Sequence, residues 1–98
     1  MFDKMKALMD MQKKMQEVKR ELDNTIVEAE GPGGYVKITM TGAQEVKEVH
    51  VLKGVPENER EALERSLKDG FNRAVKRSQE AAAQKMKSVT GLNIPGLT

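Results

Sequence analysis

The chain has 98 residues, enough for one domain, and 33% of them are charged while only 3% are aromatic. It has no cysteine, which excludes disulfides, thiolate chemistry and cysteine-based metal sites. No apolar run approaches the ~20 residues that cross a bilayer, and the charged N-terminus does not resemble a signal peptide, so we expect a cytoplasmic protein with no membrane partner.

The first predicted element is a long amphipathic helix over residues 3–22. Its apolar side chains recur at alternating steps of three and four, as in a coiled-coil seam. The seam consists of Leu8, Met11, Met15, Val18 and Leu22. We interpret it as a surface for helix packing or for a dimer contact. A peptide-binding groove and a membrane-surface helix are the alternatives, and mixed charge disfavours the latter.

Three short strands are predicted next, over residues 25–30, 35–41 and 44–52. The second strand alternates cleanly between apolar and polar side chains, and a glycine-rich loop precedes it. In the third strand, Val46 lies in the opposite phase to Val49 and Val51, which indicates a β-bulge near Lys47 or a strand that is partly covered on both faces. Short links between consecutive strands are typical of an antiparallel meander.

The last predicted element is a helix over residues 57–89, about 50 Å long at 1.5 Å per residue. This is longer than a three-stranded sheet needs, so its distal half projects or packs elsewhere. Glycine inside a helix costs about 1 kcal/mol relative to alanine. We therefore predict that another helix approaches closely at Gly70 and Ala74, either within the subunit or across a dimer. Residues 1–91 form a single predicted domain, and residues 92–98 an irregular tail.

Basic residues are concentrated in this last helix. Residues 65–87 contain seven bases and two acids, whereas residues 57–64 contain four acids and one base. Arg73, Lys76 and Arg77 share one helical face and are the clearest candidates for binding nucleic acid. The alternative is a solvated face whose cations complement the helix dipole. Without interleaved aromatics or helix-turn-helix spacing, any DNA contact is expected to go mainly to phosphates.

Enzyme chemistry has little support in the sequence. The single histidine, His50, shares a strand face with Glu48, but no nucleophile is brought near it, so a surface or interface role is favoured. Residues 31–34 lack the Lys-Ser/Thr pair of a phosphate-binding loop. No cluster has metal-ligand spacing. We therefore expect no catalytic residue, metal, cofactor or small-molecule substrate.

Taken together, the whole chain resembles the YbaB/EbfC family of bacterial nucleoid-associated proteins. The resemblance rests on MQKKMQ at residues 11–16, GYVKITMTG at 34–42, LERSL at 63–67, FNRA at 71–74 and KMKSVTG at 85–91. Each segment alone is weakly diagnostic. In this order, over nearly the full length, they are specific.

This resemblance implies an α+β fold of the order α-β-β-β-α that pairs through its sheets and helices into a tweezer-like homodimer. It implies non-enzymatic binding of double-stranded DNA with low sequence specificity, in nucleoid organisation and gene regulation. By position, the DNA contacts would be Lys13, Lys14, Arg73, Lys76, Arg77, Lys85 and Lys87. The alternative is a homodimeric protein-interaction scaffold or chaperone-like clamp that uses the methionine-rich first helix.

Overall fold

A computed structural model of the chain describes residues 2–90, and the predicted tail lies outside them. The helices are α1 (Phe2–Asp23) and α2 (Arg60–Thr90), and between them lie the strands β1 (Ile26–Glu30), β2 (Val36–Thr41) and β3 (Val46–Val51). The predicted α-β-β-β-α order is confirmed. The second helix begins later than predicted, because Pro56 is extended and Glu57–Glu59 forms a separate 3-10 turn. Within residues 2–90, no helix has both the length and the apolarity needed to cross a membrane.

The strands form one antiparallel sheet in the order β1-β2-β3. Along β2 and β3, Thr39 pairs with Glu48 but Met40 pairs with Val46, so Lys47 has no partner in the ladder. The predicted bulge near Lys47 is therefore confirmed. It explains the phase change of the valines, because an extra residue shifts the alternation of faces by one.

The core lies on the face of the sheet that packs against α2, here called the inner face. It consists of Ala29, Val36, Ile38, Met40 and Ala74, all of them buried. The opposite, outer face is polar. Lys37 pairs with Glu28 at 3.4 Å, and exposed His50 lies 2.8 Å from Glu48 on the same strand. The predicted surface position of His50 is thus confirmed.

Gly70 makes a close contact, but not with the element we predicted. A Cβ at this position would lie 3.1 Å from Ile38 Cδ1 and 3.3 Å from the backbone of Gly31. Ala74, one turn later, is fully buried in the same core. The prediction that a second helix crosses at Gly70 and Ala74 is therefore wrong. The missing side chain instead lets α2 lie directly on the sheet and on the loop after β1.

A hydrogen-bonded joint connects α2, the turn between β2 and β3, and the end of α1. Buried Ser78 donates from Oγ to the Thr41 carbonyl at 2.8 Å and accepts from the Gln44 amide at 3.1 Å. Gln44 has a positive φ of 64°, a strained conformation for a residue other than glycine. The Gly42 amide donates to the Leu22 carbonyl at 3.0 Å, so α1 is attached at the same place.

Beyond this joint the helices leave the sheet. Every side chain in residues 3–17 is exposed, whereas Val18 is buried and Leu22 is half-buried. Lys85 on α2 pairs with Glu21 on α1 at 3.3 Å, so the two helices are in contact near the joint. We call α1 together with residues 79–90 the arm. The sheet together with residues 60–78 is the base.

Candidate nucleic-acid interface

The side of α2 that a residue occupies decides what that residue can contact. The row facing the sheet has a spacing of four residues and is buried throughout; it consists of Ser66, Gly70, Ala74 and Ser78. Each residue step turns a helix by about 100°, so the neighbours before and after this row lie on opposite flanks. Arg73 and Arg77 lie on the flank towards β1.

Both of these arginines bind the edge of the sheet. Arg73 Nη1 donates to the Glu30 carbonyl at 3.0 Å, and Arg77 Nη1 donates to the Glu28 carbonyl. The two guanidinium groups therefore hold α2 over β1 and occupy carbonyls of an edge strand that would otherwise be free to pair. A guanidinium has five N–H donors. Both side chains are exposed, so donors remain for a further contact.

The arginines also line a cleft of about 440 Å³. Its other lining residues are Glu28, Ala29, Glu30 and Lys37. Two carboxylates in the lining offset the cations, and the Lys37–Glu28 ion pair spans part of it. A negatively charged small molecule would meet repulsion as well as attraction there, so the cleft is not a specific anion site.

Lys76 and Lys87 lie on the side of α2 that faces away from the sheet. They are eleven residues apart, which is close to three helical turns and about 16 Å along the axis. Both are exposed, and neither forms an ion pair or hydrogen bond with any residue of the described range 2–90. Their charges are therefore not neutralised by any residue of that range.

The three remaining predicted lysines differ from one another. Lys13 and Lys14 are exposed on α1 and have no polar partner among residues 2–90. Lys13 lies opposite the apolar seam, and Lys14 lies on its flank. Lys85 faces α1 and is paired with Glu21. The seven predicted cations therefore do not form one patch: four have no polar partner within residues 2–90, two hold β1, and one connects α1 to α2.

The predicted packing residues of α1 also fall into two groups. Val18 and Leu22, near the joint, pack within the chain, and the Leu22 side chain lies against Gly42. Leu8, Met11 and Met15 are 64%, 61% and 42% exposed. The distal half of the seam is therefore an apolar stripe with no cover from residues 2–90.

The end of the base furthest from the arm carries a small cluster around Tyr35. Lys53 Nζ lies 4.1 Å from the centre of the Tyr35 ring and donates to the Gly33 carbonyl at 2.9 Å. Partial desolvation, the charge of Glu59 and a hydrogen bond to its carboxylate raise the pKa of Tyr35. The phenol thus stays protonated at neutral pH. The cluster connects two segments, the link between β1 and β2 and the link between β3 and α2.

Sequence reasoning missed the bonds from Arg73 and Arg77 to the β1 carbonyls. The available signal was their position, one residue before each of the small buried residues Ala74 and Ser78. That position places a long side chain at the margin of the helix–sheet contact. Among residues 2–90 there is also no group of three His, Asp or Glu side chains close enough to hold a metal ion.

Comparison with known proteins connects this arrangement to a family. Residues 1–93 match the YbaB/EbfC DNA-binding family. The chain belongs to that family. A nucleoid-associated protein of Dictyoglomus turgidum is 40% identical over 96 residues, which cover 96% of this chain and 92% of that protein. The resemblance seen in the sequence is thereby confirmed.

A solved structure has the same fold. The crystal structure of the uncharacterized protein HP0035 from Helicobacter pylori superimposes with a TM-score of 0.71 at 21% identity. The match covers 95% of this chain and 98% of that one. The overall fold of this chain is thus shared by that protein.

Proposed function

We propose that this chain is a non-enzymatic, nucleoid-associated protein that binds double-stranded DNA as a homodimer. Its contacts go mainly to phosphates with low sequence specificity, and its role is nucleoid organisation and gene regulation in the cytoplasm. Family membership supports DNA as the partner. The observation that carries the proposal is a set of exposed lysines on the helices with no polar partner in the described range 2–90, namely Lys13, Lys14, Lys76 and Lys87.

The chemistry of these cations favours phosphates over base edges. Lysine is a flexible point charge, whereas readout of guanine uses two donors in a fixed geometry. Arg73 and Arg77 could supply such a geometry, but one nitrogen of each is already bonded to β1. We assign these arginines a secondary contact through their remaining N–H groups. Lys85 is assigned to arm packing, since Glu21 already neutralises it.

Duplex DNA fits this surface better than a single strand does. Single-strand binding usually needs aromatic rings on which bases stack. Of the aromatic side chains that the structure describes, Tyr35 lies beside Lys53 and Phe71 packs against the core. Neither lies on the arm. The arm instead offers cations along two helices, and these suit a regular phosphate backbone.

The test is a salt series with two duplexes of unrelated sequence and equal length, followed by fluorescence anisotropy. We expect similar affinities for both duplexes and a steep, parallel fall as salt rises, because each phosphate contact releases counterions. A single strand of the same length should bind more weakly. Affinity that ignores salt would refute the phosphate mechanism, and strong preference for one duplex would refute low specificity.

The exposed stripe on α1 supports a second candidate, a protein-interaction clamp. Methionine is flexible and polarizable and adapts to varied apolar partners. Met5, Leu8 and Met11 are each more than half exposed. Two results together would make this candidate replace the first. The chain would show no DNA binding at physiological salt, and a protein that copurifies with it would no longer bind the variant carrying Leu8→Ser and Met11→Ser.

A further inference from the structure

The apolar stripe on α1 is uncovered from the level at which α2 ends. In the arm the two helices run antiparallel, because α1 reaches the joint at its C-terminal end and α2 leaves the joint towards its own. Lys85 lies beside Glu21, and both helices rise by about 1.5 Å per residue. The end of α2 at Thr90 is therefore about level with Met15. Exposure follows this limit, since Val18 is buried and the seam residues before it are not.

The uncovered stripe is long and apolar. It extends from Met15 through Met11 and Leu8 to Met5, which is about 15 Å along the axis of α1. The last three of these side chains are each more than half exposed. Burial of such side chains against apolar atoms is favourable. A polyanion such as DNA offers no apolar surface to cover them, so the occupant of the stripe must be aliphatic.

The residues that follow α2 have a matching composition. Residues 88–98 form the longest run of the chain without Lys, Arg, Asp or Glu, although 33% of the whole sequence is charged. The tail of residues 92–98 contains Leu92, Ile94 and Leu97. Segments that stay in solvent are usually rich in charged residues and poor in aliphatic ones. This composition indicates that the tail packs against an apolar surface.

The tail also has a suitable starting point and sufficient length. It begins two residues after Thr90 and therefore close to the uncovered end of the stripe at Met15. Gly91 stands between them, and glycine is the residue at which a helix most often ends and the chain changes direction. Seven extended residues span about 23 Å at 3.3 Å each. That length exceeds the roughly 15 Å from Met15 to Met5.

We propose that residues 92–98 pack along the apolar stripe of α1 in the same chain, with the three aliphatic side chains of the tail against the methionines and Leu8. A segment tethered this closely has an effective concentration on the order of millimolar, which favours it over a second copy or a free protein. Lys13 lies on the opposite side of α1, so a packed tail leaves this cation free. The tail must leave the stripe before another protein can bind there. It therefore controls access to the surface on which the protein-interaction clamp depends.

The first test is disulfide formation between the tail and the two sides of α1. The chain has no cysteine, so Ile94→Cys can be combined with Leu8→Cys, with Met11→Cys or with Lys13→Cys. Met11 and Lys13 are two residues apart on opposite sides of the helix, which makes Lys13→Cys the matched control. A disulfide needs Cα atoms about 4.4–6.8 Å apart. We expect an intrachain disulfide with Leu8→Cys or Met11→Cys to form about tenfold faster, or more, than with Lys13→Cys.

Two results of this test would overturn the proposal. The first is an equal rate of crosslinking on both sides of α1. The second is a covalent dimer in place of the intrachain product, detected by mass without reductant, because a second copy would then occupy the stripe.

The second test leaves α1 unchanged and alters only the tail. Exchange of the backbone amides of residues 5–15 with deuterated solvent reports local opening of α1, and the amides of β2 serve as an internal reference. The variants are Leu92→Ser with Ile94→Ser and Leu97→Ser, and the control Asn93→Ser with Thr98→Ser.

For the triple variant we expect exchange in residues 5–15 to become about tenfold faster, because the aliphatic side chains that cover the stripe are lost. The control variant should exchange like the unmodified chain. Unchanged exchange in the triple variant, or the same acceleration in the control, would contradict the proposal. Neither test measures DNA binding, so the packing of the tail can fail while the proposed function stands, and the reverse.

Discussion

The base and the arm of this molecule differ in how their side chains are used. In the base, the inner face of β2 is fully buried, and the β2–β3 turn is bonded to Ser78 of α2. In the arm, residues 3–17 expose every side chain, and lysines such as Lys14 and Lys87 have no polar partner among residues 2–90. The base thus contains the buried core, while the arm exposes apolar and cationic side chains that no residue of the range 2–90 covers or pairs with.

This difference separates residues that look alike in the sequence. Arg77 and Lys87 are both cations on one helix, yet Arg77 is bonded to the edge of the sheet and Lys87 is not. Val18 and Met11 belong to one apolar seam, yet only Val18 is buried. Substitutions of the buried residues of the base should therefore change the free energy of unfolding, and substitutions of the arm lysines, or of exposed Lys76 on α2, should change DNA binding.

The largest effect on stability is expected at Gly31. A Cβ there would overlap the hydroxyl and carbonyl oxygens of Ser66. Because that carbonyl belongs to the helix backbone, α2 must move away from the sheet. We expect Gly31→Ala to lower the free energy of unfolding by about 3 kcal/mol, the upper range for an overpacked core, in urea denaturation.

Gly54 is the matched control for this substitution. A Cβ at Gly54 would have no heavy atom within 4 Å. Gly54→Ala should leave stability within about 0.5 kcal/mol of the unmodified chain. Equal decreases at the two positions would contradict the close contact between the Gly31 loop and α2.

A smaller effect is expected from two buried serines that lie three turns apart on α2. Ser78→Ala removes a donor to the Thr41 carbonyl and an acceptor for the Gln44 amide. It should cost about 2 kcal/mol, since both partners are then left unpaired. Ser66 Oγ is buried with no hydrogen-bond partner among the described residues. Ser66→Ala should therefore keep or raise the melting temperature. A destabilised Ser66→Ala with an unaffected Ser78→Ala would reverse this assignment.

The smallest effect on stability is expected in the arm. Lys14→Ala removes an exposed charge with no partner in the described chain and exchanges one good helix former for another. Its free energy of unfolding should change by less than about 0.5 kcal/mol. A decrease of more than about 1 kcal/mol, the upper limit for an exposed ion pair, would show that the arm lysines contribute to the fold.

The sequence predicted the order of elements and the bulge, because both depend on local patterns. Alternation along residues 35–41 identifies the buried strand, and the phase change between Val46 and Val49 locates Lys47. Helix periodicity likewise placed Val18 on the apolar seam, but it did not distinguish the buried end of the seam from the exposed end. These properties follow from the spacing of residues along one strand or one helix.

The contacts of Gly70, Arg73 and Arg77 could not be predicted in the same way. A glycine in a helix indicates that something approaches, but only the packing of α2 shows that Gly31 and Ile38 do so. A cluster of cations in the sequence does not indicate which of the side chains will donate a hydrogen bond to a backbone carbonyl of a distant strand. The bonds to Glu28 and Glu30 join residues more than forty positions apart, so they depend on the tertiary fold.

The most direct test of the division between arm and base compares two pairs of lysines. The double variant Lys14→Ala and Lys87→Ala removes charge from the arm, and the double variant Lys37→Ala and Lys47→Ala removes the same charge from the sheet. For each, the logarithm of duplex affinity is plotted against the logarithm of salt concentration. The slope falls by about 0.9 for each phosphate that the protein no longer neutralises, or by about 3.6 when two such lysines are removed from each of two subunits. We predict that decrease for the arm variant and an unchanged slope for the sheet variant. An unchanged slope for the arm variant, or an equal decrease in both variants, would contradict the division between arm and base.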